Sequence, residues 1–97
     1  MYDLFNNIDQ TLNDIKNTSD ELLQERAQFY QWGVEFAAVI ANVDLMAFCQ
    51  YQTAITLRQL GDQASSQNMI EEMKISYAVA GTPENLIEQI VGRLQSV

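Results

Sequence analysis

Apolar residues recur at helical spacing through the N-terminal part of the chain. Spacings of three, four and three residues place four of them on one stripe of an α-helix: Phe5, Ile8, Leu12 and Ile15. The same seven-residue phase returns at Leu22, Phe29 and Phe36. Between the two groups, Thr18 and Glu21 have the spacing of a capping box, in which each side chain accepts a hydrogen bond from the other residue's backbone N–H. Residues 2–42 are therefore predicted to be helical, with a kinked pair of helices preferred over one long helix.

The segment from Asp20 to about Asn42 is apolar nearly all round in its later half. This pattern predicts a central helix with neighbours on several sides. A polar spot at 42–44 follows, and it is compatible either with a break that uses Asp44 as the N-cap or with a helix that continues through it. Gly61 is the predicted stop of the apolar pattern that comes next.

The C-terminal part of the chain shows two more boundaries. Residues 62–65 are predicted to be a loop, and Ser65 or Ser66 to cap a helix that ends at Gly81. Thr82 is predicted to cap the last helix, with Pro83 at its first position, because proline has no N–H to satisfy there. The sequence thus predicts one all-α domain over residues 1–97, a compact bundle of four or five helices with short turns. A long N-terminal helical hairpin is one form of it.

Negative charge dominates the composition. The chain has 13 acidic and 5 basic residues, a formal net charge of −8, and most of the imbalance lies before Cys49. Clustered Lys and Arg are needed to bind backbone phosphates, so direct nucleic-acid binding is not expected. Binding to an anionic membrane surface is not expected for the same reason. The acidity either serves solubility alone or attracts a basic partner.

The residue types that carry most enzyme chemistry are scarce. The sequence has no histidine, no glycine-rich phosphate loop and no pair of cysteines. Because histidine is the commonest general base and metal ligand, we predict no catalytic residue, cofactor, metal ion or small-molecule substrate. Cys49, with partly apolar neighbours, is predicted to be a buried structural thiol. The N-terminus lacks a signal-peptide pattern, and the expected location is the cytoplasm.

Four aromatic residues lie close together in the predicted second helix: Phe29, Tyr30, Trp32 and Phe36. Aromatic side chains usually belong to the core because they bury a large area. At about 100° per residue, however, one face of a helix cannot hold all four. At least one of them is predicted to leave the core, and Trp and Tyr are favoured anchors of protein interfaces.

These features favour a non-catalytic protein–protein interaction module. It is expected to associate with itself or to be a small subunit of a larger assembly, through the N-terminal helical half. The predicted partner-binding residues are the aromatic cluster and the nearby acids: Phe29, Tyr30, Trp32, Phe36, Asp20, Glu21 and Glu25.

The alternative prediction is a small acidic inhibitor. Such a protein would occupy the basic groove of a nucleic-acid-binding enzyme, in the manner of viral anti-defence proteins, and its binding would weaken with salt. The candidate phosphate mimics are Asp9, Asp14, Asp20, Glu21 and Glu25.

Overall fold

The computed structural model describes residues 4–95, and side chains from residue 7 onward. Over this part of the chain the fold is all-α, without strands. The helices are α1 (Leu4–Ile15), α2 (Asp20–Val39), α3 (Val43–Gln59), α4 (Gln63–Val79) and α5 (Glu84–Gln95). The predicted compact bundle is confirmed, and so is the preferred break between the first two helices. The predicted place of Phe5 on the first stripe lies outside the described side chains.

The break between α1 and α2 is capped one residue later than predicted. The Ser19 hydroxyl accepts a hydrogen bond from the backbone N–H of Leu22, at 3.4 Å. The predicted capping box of Thr18 and Glu21 is therefore wrong. The Thr18 hydroxyl instead donates to the Asp14 carbonyl at the end of α1, at 3.3 Å.

The N-caps of α3 and α4 also differ from the prediction. Asn42 caps α3 and Asp62 caps α4, each accepting a hydrogen bond from the N–H three residues further on, at 3.0 and 3.1 Å. Asp44 is thus not the cap but lies in the first turn of α3. The segment predicted as a loop before Ser65 or Ser66 is the start of α4. The turns are very short, because Asn42 and Asp62 each lie only three residues after the last residue of the preceding helix.

Three turns of the bundle share one geometry. A residue with positive φ follows the helix end in each: Ala41 (55°), Gly61 (88°) and Gly81 (90°). The N–H of the next residue then bonds back to the helix, as from Asn42 to the Ala37 carbonyl at 2.9 Å, which is the Schellman motif. The predicted stops at Gly61 and Gly81 are confirmed.

The last helix begins one residue later than predicted. Glu84 is its first residue, and the Pro83 carbonyl accepts hydrogen bonds from the N–H groups of Leu86 and Ile87, at 3.0 and 3.1 Å. Pro83 therefore precedes α5 and is not its first helical residue.

Helix α3 is the centre of the bundle. It packs along its length against α2 on one side and α4 on the other, and α1 and α5 contact each other and their neighbours less extensively. The prediction that α2 is the central helix is therefore wrong, because α2 packs chiefly against α3 and lies at the edge. All five helices contribute to the core: Ile8, Ile15, Leu23, Tyr51, Ala54, Ile55, Met69, Ile70, Met73, Ile90 and Leu94.

The interior around α3 also contains polar side chains. The Ser76 hydroxyl of α4 donates to the buried Gln50 amide oxygen at 2.6 Å. The Ser66 hydroxyl donates to the Ala54 carbonyl at 2.8 Å. Among the described residues, every buried side-chain nitrogen or oxygen has a hydrogen-bond partner. These polar side chains can therefore be buried without leaving a hydrogen-bonding group unpaired.

Candidate functional site

Small residues form the contact between α2 and α3. Ala37 of α2 and Ala47 of α3 are fully buried. A Cβ atom on Gly33 would lie only 2.7 Å from the Cys49 Sγ atom. The two backbones therefore approach closely at this point.

The opposite side of α2 is apolar and exposed. We define the outer face as six residues: Leu22, Phe29, Trp32, Phe36, Val39 and Ile40. The exposed fractions are 64% for Phe29, 61% for Trp32 and 58% for Phe36. At about 100° per residue, all six lie within an arc of about 100°. They form one continuous stripe along the helix.

The outer face is comparable in size to the largest apolar patch of a typical monomeric protein. An aromatic side chain offers about 150–250 Å² of surface, so three-fifths exposure leaves on the order of 100–150 Å² of each ring in water. With the aliphatic members added, the outer face covers roughly 600 Å², the upper end of the ~300–600 Å² of a typical monomer's largest apolar patch. A patch at this end of the range is often functional.

A series of aromatic contacts connects the outer face to the core. The Phe29 ring packs edge-on against Tyr30, with ring centroids 5.1 Å apart. Tyr30 contacts Phe48 at 6.3 Å, and Phe48 contacts the buried Tyr51 at 5.2 Å. Each pair has the edge-to-face arrangement that aromatic rings prefer. The exposed Phe29 ring is therefore supported from inside the bundle.

The single cation of α2 points towards α3. The Arg26 guanidinium donates to the Thr56 hydroxyl at 3.2 Å and to the Gln52 side-chain carbonyl. It also lies over the Tyr30 ring, 4.9 Å from the centroid. Because α2 contains no other Lys or Arg, none of its basic side chains lies on the outer face.

The predicted acidic residues of α2 are all exposed, but they do not form one group. Glu25 lies within the arc of the outer face, three residues after Leu22 and four before Phe29. Glu21 is at its edge. Asp20 lies on another side of α2, where it lines a groove of about 490 Å³ shared with α3. Asp20 and Glu21 lie in the first helical turn, where carboxylates stabilise the helix by interacting with the positive end of its dipole.

The structure separates the seven predicted partner-binding residues. Phe29, Trp32 and Phe36 share the outer face with Glu25, so the prediction that at least one of the four aromatic residues leaves the core is confirmed. Tyr30 is half-buried on the inner side. Three members of the outer face were not among the predicted partner-binding residues: Leu22, Val39 and Ile40. Their sequence signal was the spacing from the aromatic residues, seven residues before Phe29 for Leu22 and three and four residues after Phe36 for the other two.

Of the candidate phosphate mimics outside α2, Asp9 is already paired. Both of its carboxylate oxygens accept hydrogen bonds from Arg93, at 2.9 and 2.7 Å, and this ion pair joins α1 to α5. A carboxylate in an ion pair of this kind is less available to a basic partner than a free one.

Other chemical features of the described residues are few. Cys49 is buried as predicted, and burial raises the pKa of its thiol above 9.0. Residues 4–95 contain no group of three Cys, Asp or Glu side chains placed to hold a metal ion. No helix in the same range is both long and apolar enough to cross a membrane.

Comparison with protein-family models, with curated proteins and with solved structures finds no match to this chain.

Proposed function

We propose that this protein is a non-catalytic interaction module that self-associates through the outer face of α2. The observation that carries the proposal is the exposure of Phe29, Trp32 and Phe36 on one stripe of an edge helix. Aromatic residues at the centre of a patch, surrounded by polar residues, are the usual anchors of protein interfaces.

The size of the outer face supports a symmetric pair. Two outer faces packed together would bury roughly 1,200 Å², the lower limit of the ~1,200–2,000 Å² that specific stable interfaces bury. The bundle also has few residues over which to form a core, and small domains gain stability from burial against a second copy.

The first experiment is sedimentation equilibrium over a wide range of protein concentration, followed in parallel by tryptophan fluorescence. Trp32 is the only tryptophan of the chain, so its emission reports directly on the outer face. We expect a concentration-dependent rise in mass together with a blue shift of the emission, because pairing removes water from the indole ring.

Two substitutions locate the surface. Phe29→Ala and Trp32→Ala are expected to weaken association by about 30-fold or more, the effect of losing ~2 kcal/mol at an interface anchor. Helix content by circular dichroism should remain, since both side chains are exposed. Ile75→Ala is the matched control, because Ile75 on α4 is 66% exposed and lies outside the outer face.

Two results would contradict the proposal. One is a protein that stays monomeric at every concentration with a constant Trp32 emission. The other is an equal loss of association in the Ile75→Ala control. Association that weakens steeply with salt would indicate a charge-driven contact, whereas an apolar contact persists in high salt.

A further inference from the structure

We propose that the outer face pairs with the outer face of a second copy, with the two α2 helices antiparallel. In this arrangement Phe29 of each chain packs against the partner's Trp32. The inference rests on the proposed self-association and adds the orientation and the register of the two helices.

The outer face has the spacing of a two-helix seam. Exposed residues alternate in steps of three and four from Leu22 to Val39, at positions 22, 25, 29, 32, 36 and 39. These are the first and fourth positions of a seven-residue repeat, which face the partner in paired helices. The seam runs for about 25 Å at 1.5 Å per residue. Its side of α2 is turned away from α3, so a second helix can approach from solvent.

Glu25 decides the orientation. It is the one charged residue at a seam position. In a parallel pair with matched register, the two Glu25 carboxylates would face each other inside the seam, with Asp20 and Glu21 of both chains nearby. The nearest cation, Arg26, is held by Thr56 and Gln52 of its own chain. Like charges placed opposite each other in a partly dry contact are strongly unfavourable.

The antiparallel register separates these charges. It places Leu22 opposite the partner's Val39, and Glu25 opposite the partner's Phe36. The two Glu25 carboxylates are then about 16 Å apart along the seam, beyond the ~8–10 Å over which exposed charges interact at physiological salt. Glu25 can extend past the aromatic ring into solvent at the side of the seam. Gln28 lies beside the partner's Glu35, where an amide can donate to a carboxylate.

The same register puts the aromatic residues at the two-fold axis. The contact of Phe29 with the partner's Trp32 occurs twice, once on each side of the axis, as a self-complementary interface requires. The aliphatic Leu22 and Val39 close the two ends. Large anchors at the centre and smaller residues at the rim are the usual anatomy of a stable interface.

Cysteine cross-linking of the full chain distinguishes the two orientations. Leu22→Cys and Val39→Cys variants are oxidised separately and as an equimolar mixture, after sedimentation under reducing conditions shows that both still associate. The antiparallel register places position 22 of one chain next to position 39 of the other. The Cα atoms of these two positions should then lie within the ~4.4–6.8 Å that a disulfide requires. The native chain is the control, since its Cys49 is buried.

We expect at least about ten-fold more covalent dimer in the mixture than in either variant alone, with one chain of each variant in the product. Covalent dimer from the Leu22→Cys variant alone would indicate parallel helices and would overturn the inference while leaving self-association in place. Association without any cross-link would also overturn it. A monomeric native chain in sedimentation would instead reject the proposed function itself.

Discussion

Replacing Gly33 by alanine tests the close approach of α2 to α3 that the structure shows at this residue. The added methyl group would lie 2.7 Å from the Cys49 sulfur and 3.5 Å from its Cβ atom. Attractive contacts between carbon atoms lie at about 3.5–4.0 Å, so the sulfur is the atom that conflicts. Because Cys49 is only 4% exposed, either the sulfur or the whole of α2 has to move.

Two opposing effects set the magnitude. Overpacking in a close contact costs about 1–3 kcal/mol, while alanine is favoured over glycine in a helix by about 1 kcal/mol. The Gly33→Ala variant is therefore expected to lose up to about 2 kcal/mol of unfolding free energy. In a domain of this size, each 1 kcal/mol lowers Tm by about 4–8 °C.

A double-mutant cycle separates the two effects. In a Cys49→Ala background the conflicting sulfur is absent, and Gly33→Ala should then stabilise by up to about 1 kcal/mol. Gly92 of α5 is the matched control, because a Cβ atom there would meet nothing within 4 Å. Gly92→Ala should stabilise in both backgrounds. Urea and thermal unfolding followed by circular dichroism measure all the variants. If Gly33→Ala stabilised the protein equally with and without the sulfur, the close approach at Gly33 would be refuted.

The turn after α2 and the thiol of α3 give two further predictions. Ala41→Gly is expected to raise the unfolding free energy by about 0.5–1 kcal/mol. The positive φ of Ala41 costs an alanine ~1–2 kcal/mol, and glycine offsets part of this gain because it gives the unfolded chain more conformational freedom. A fall in Tm would contradict the prediction. Alkylation of Cys49 needs the thiolate, and burial raises the pKa of this thiol above 9.0, so the native protein should react far more slowly at pH 9.0 than the urea-unfolded chain. Because the thiol of the folded state stays protonated to a higher pH, its contribution to stability is present below pH 9 and falls as the pH rises further. Equal alkylation rates of the native and the unfolded protein would show that Cys49 is accessible.

Local chemistry made most of the helix pattern predictable. Gly61 and Gly81 end helices because they adopt a positive φ at low cost, and this effect does not depend on the rest of the fold. Cap residues were less predictable. Thr18 and Ser19 are adjacent and both are of a type that caps helices. In the structure Ser19 is the N-cap, and the Thr18 hydroxyl bonds back to α1.

Which of the four aromatic residues are exposed was not predictable in the same way. Helix α2 has two apolar sides, and its sequence does not state which of them meets α3. Side-chain size favoured the aromatic side as the core. The structure instead buries Ala37 and half-buries Gly33, because small residues permit a close helix–helix contact that Trp32 would prevent. Which side of α2 is buried depends on the shape of α3 near Cys49, and the apolar periodicity of α2 carries no information about that shape.

The hydrogen bond between Ser76 and Gln50 has a consequence for motion within the bundle. Packed helices in switching proteins slide past each other by one turn, about 5.4 Å, when aliphatic contacts can be exchanged for similar ones. Here such a slide would bring Met46 or Ala54 opposite Ser76 and leave the buried Gln50 amide without its partner. An unpaired buried polar group costs about 1–3 kcal/mol. The Ser76–Gln50 hydrogen bond therefore opposes a slide of α3 against α4 and favours their present alignment.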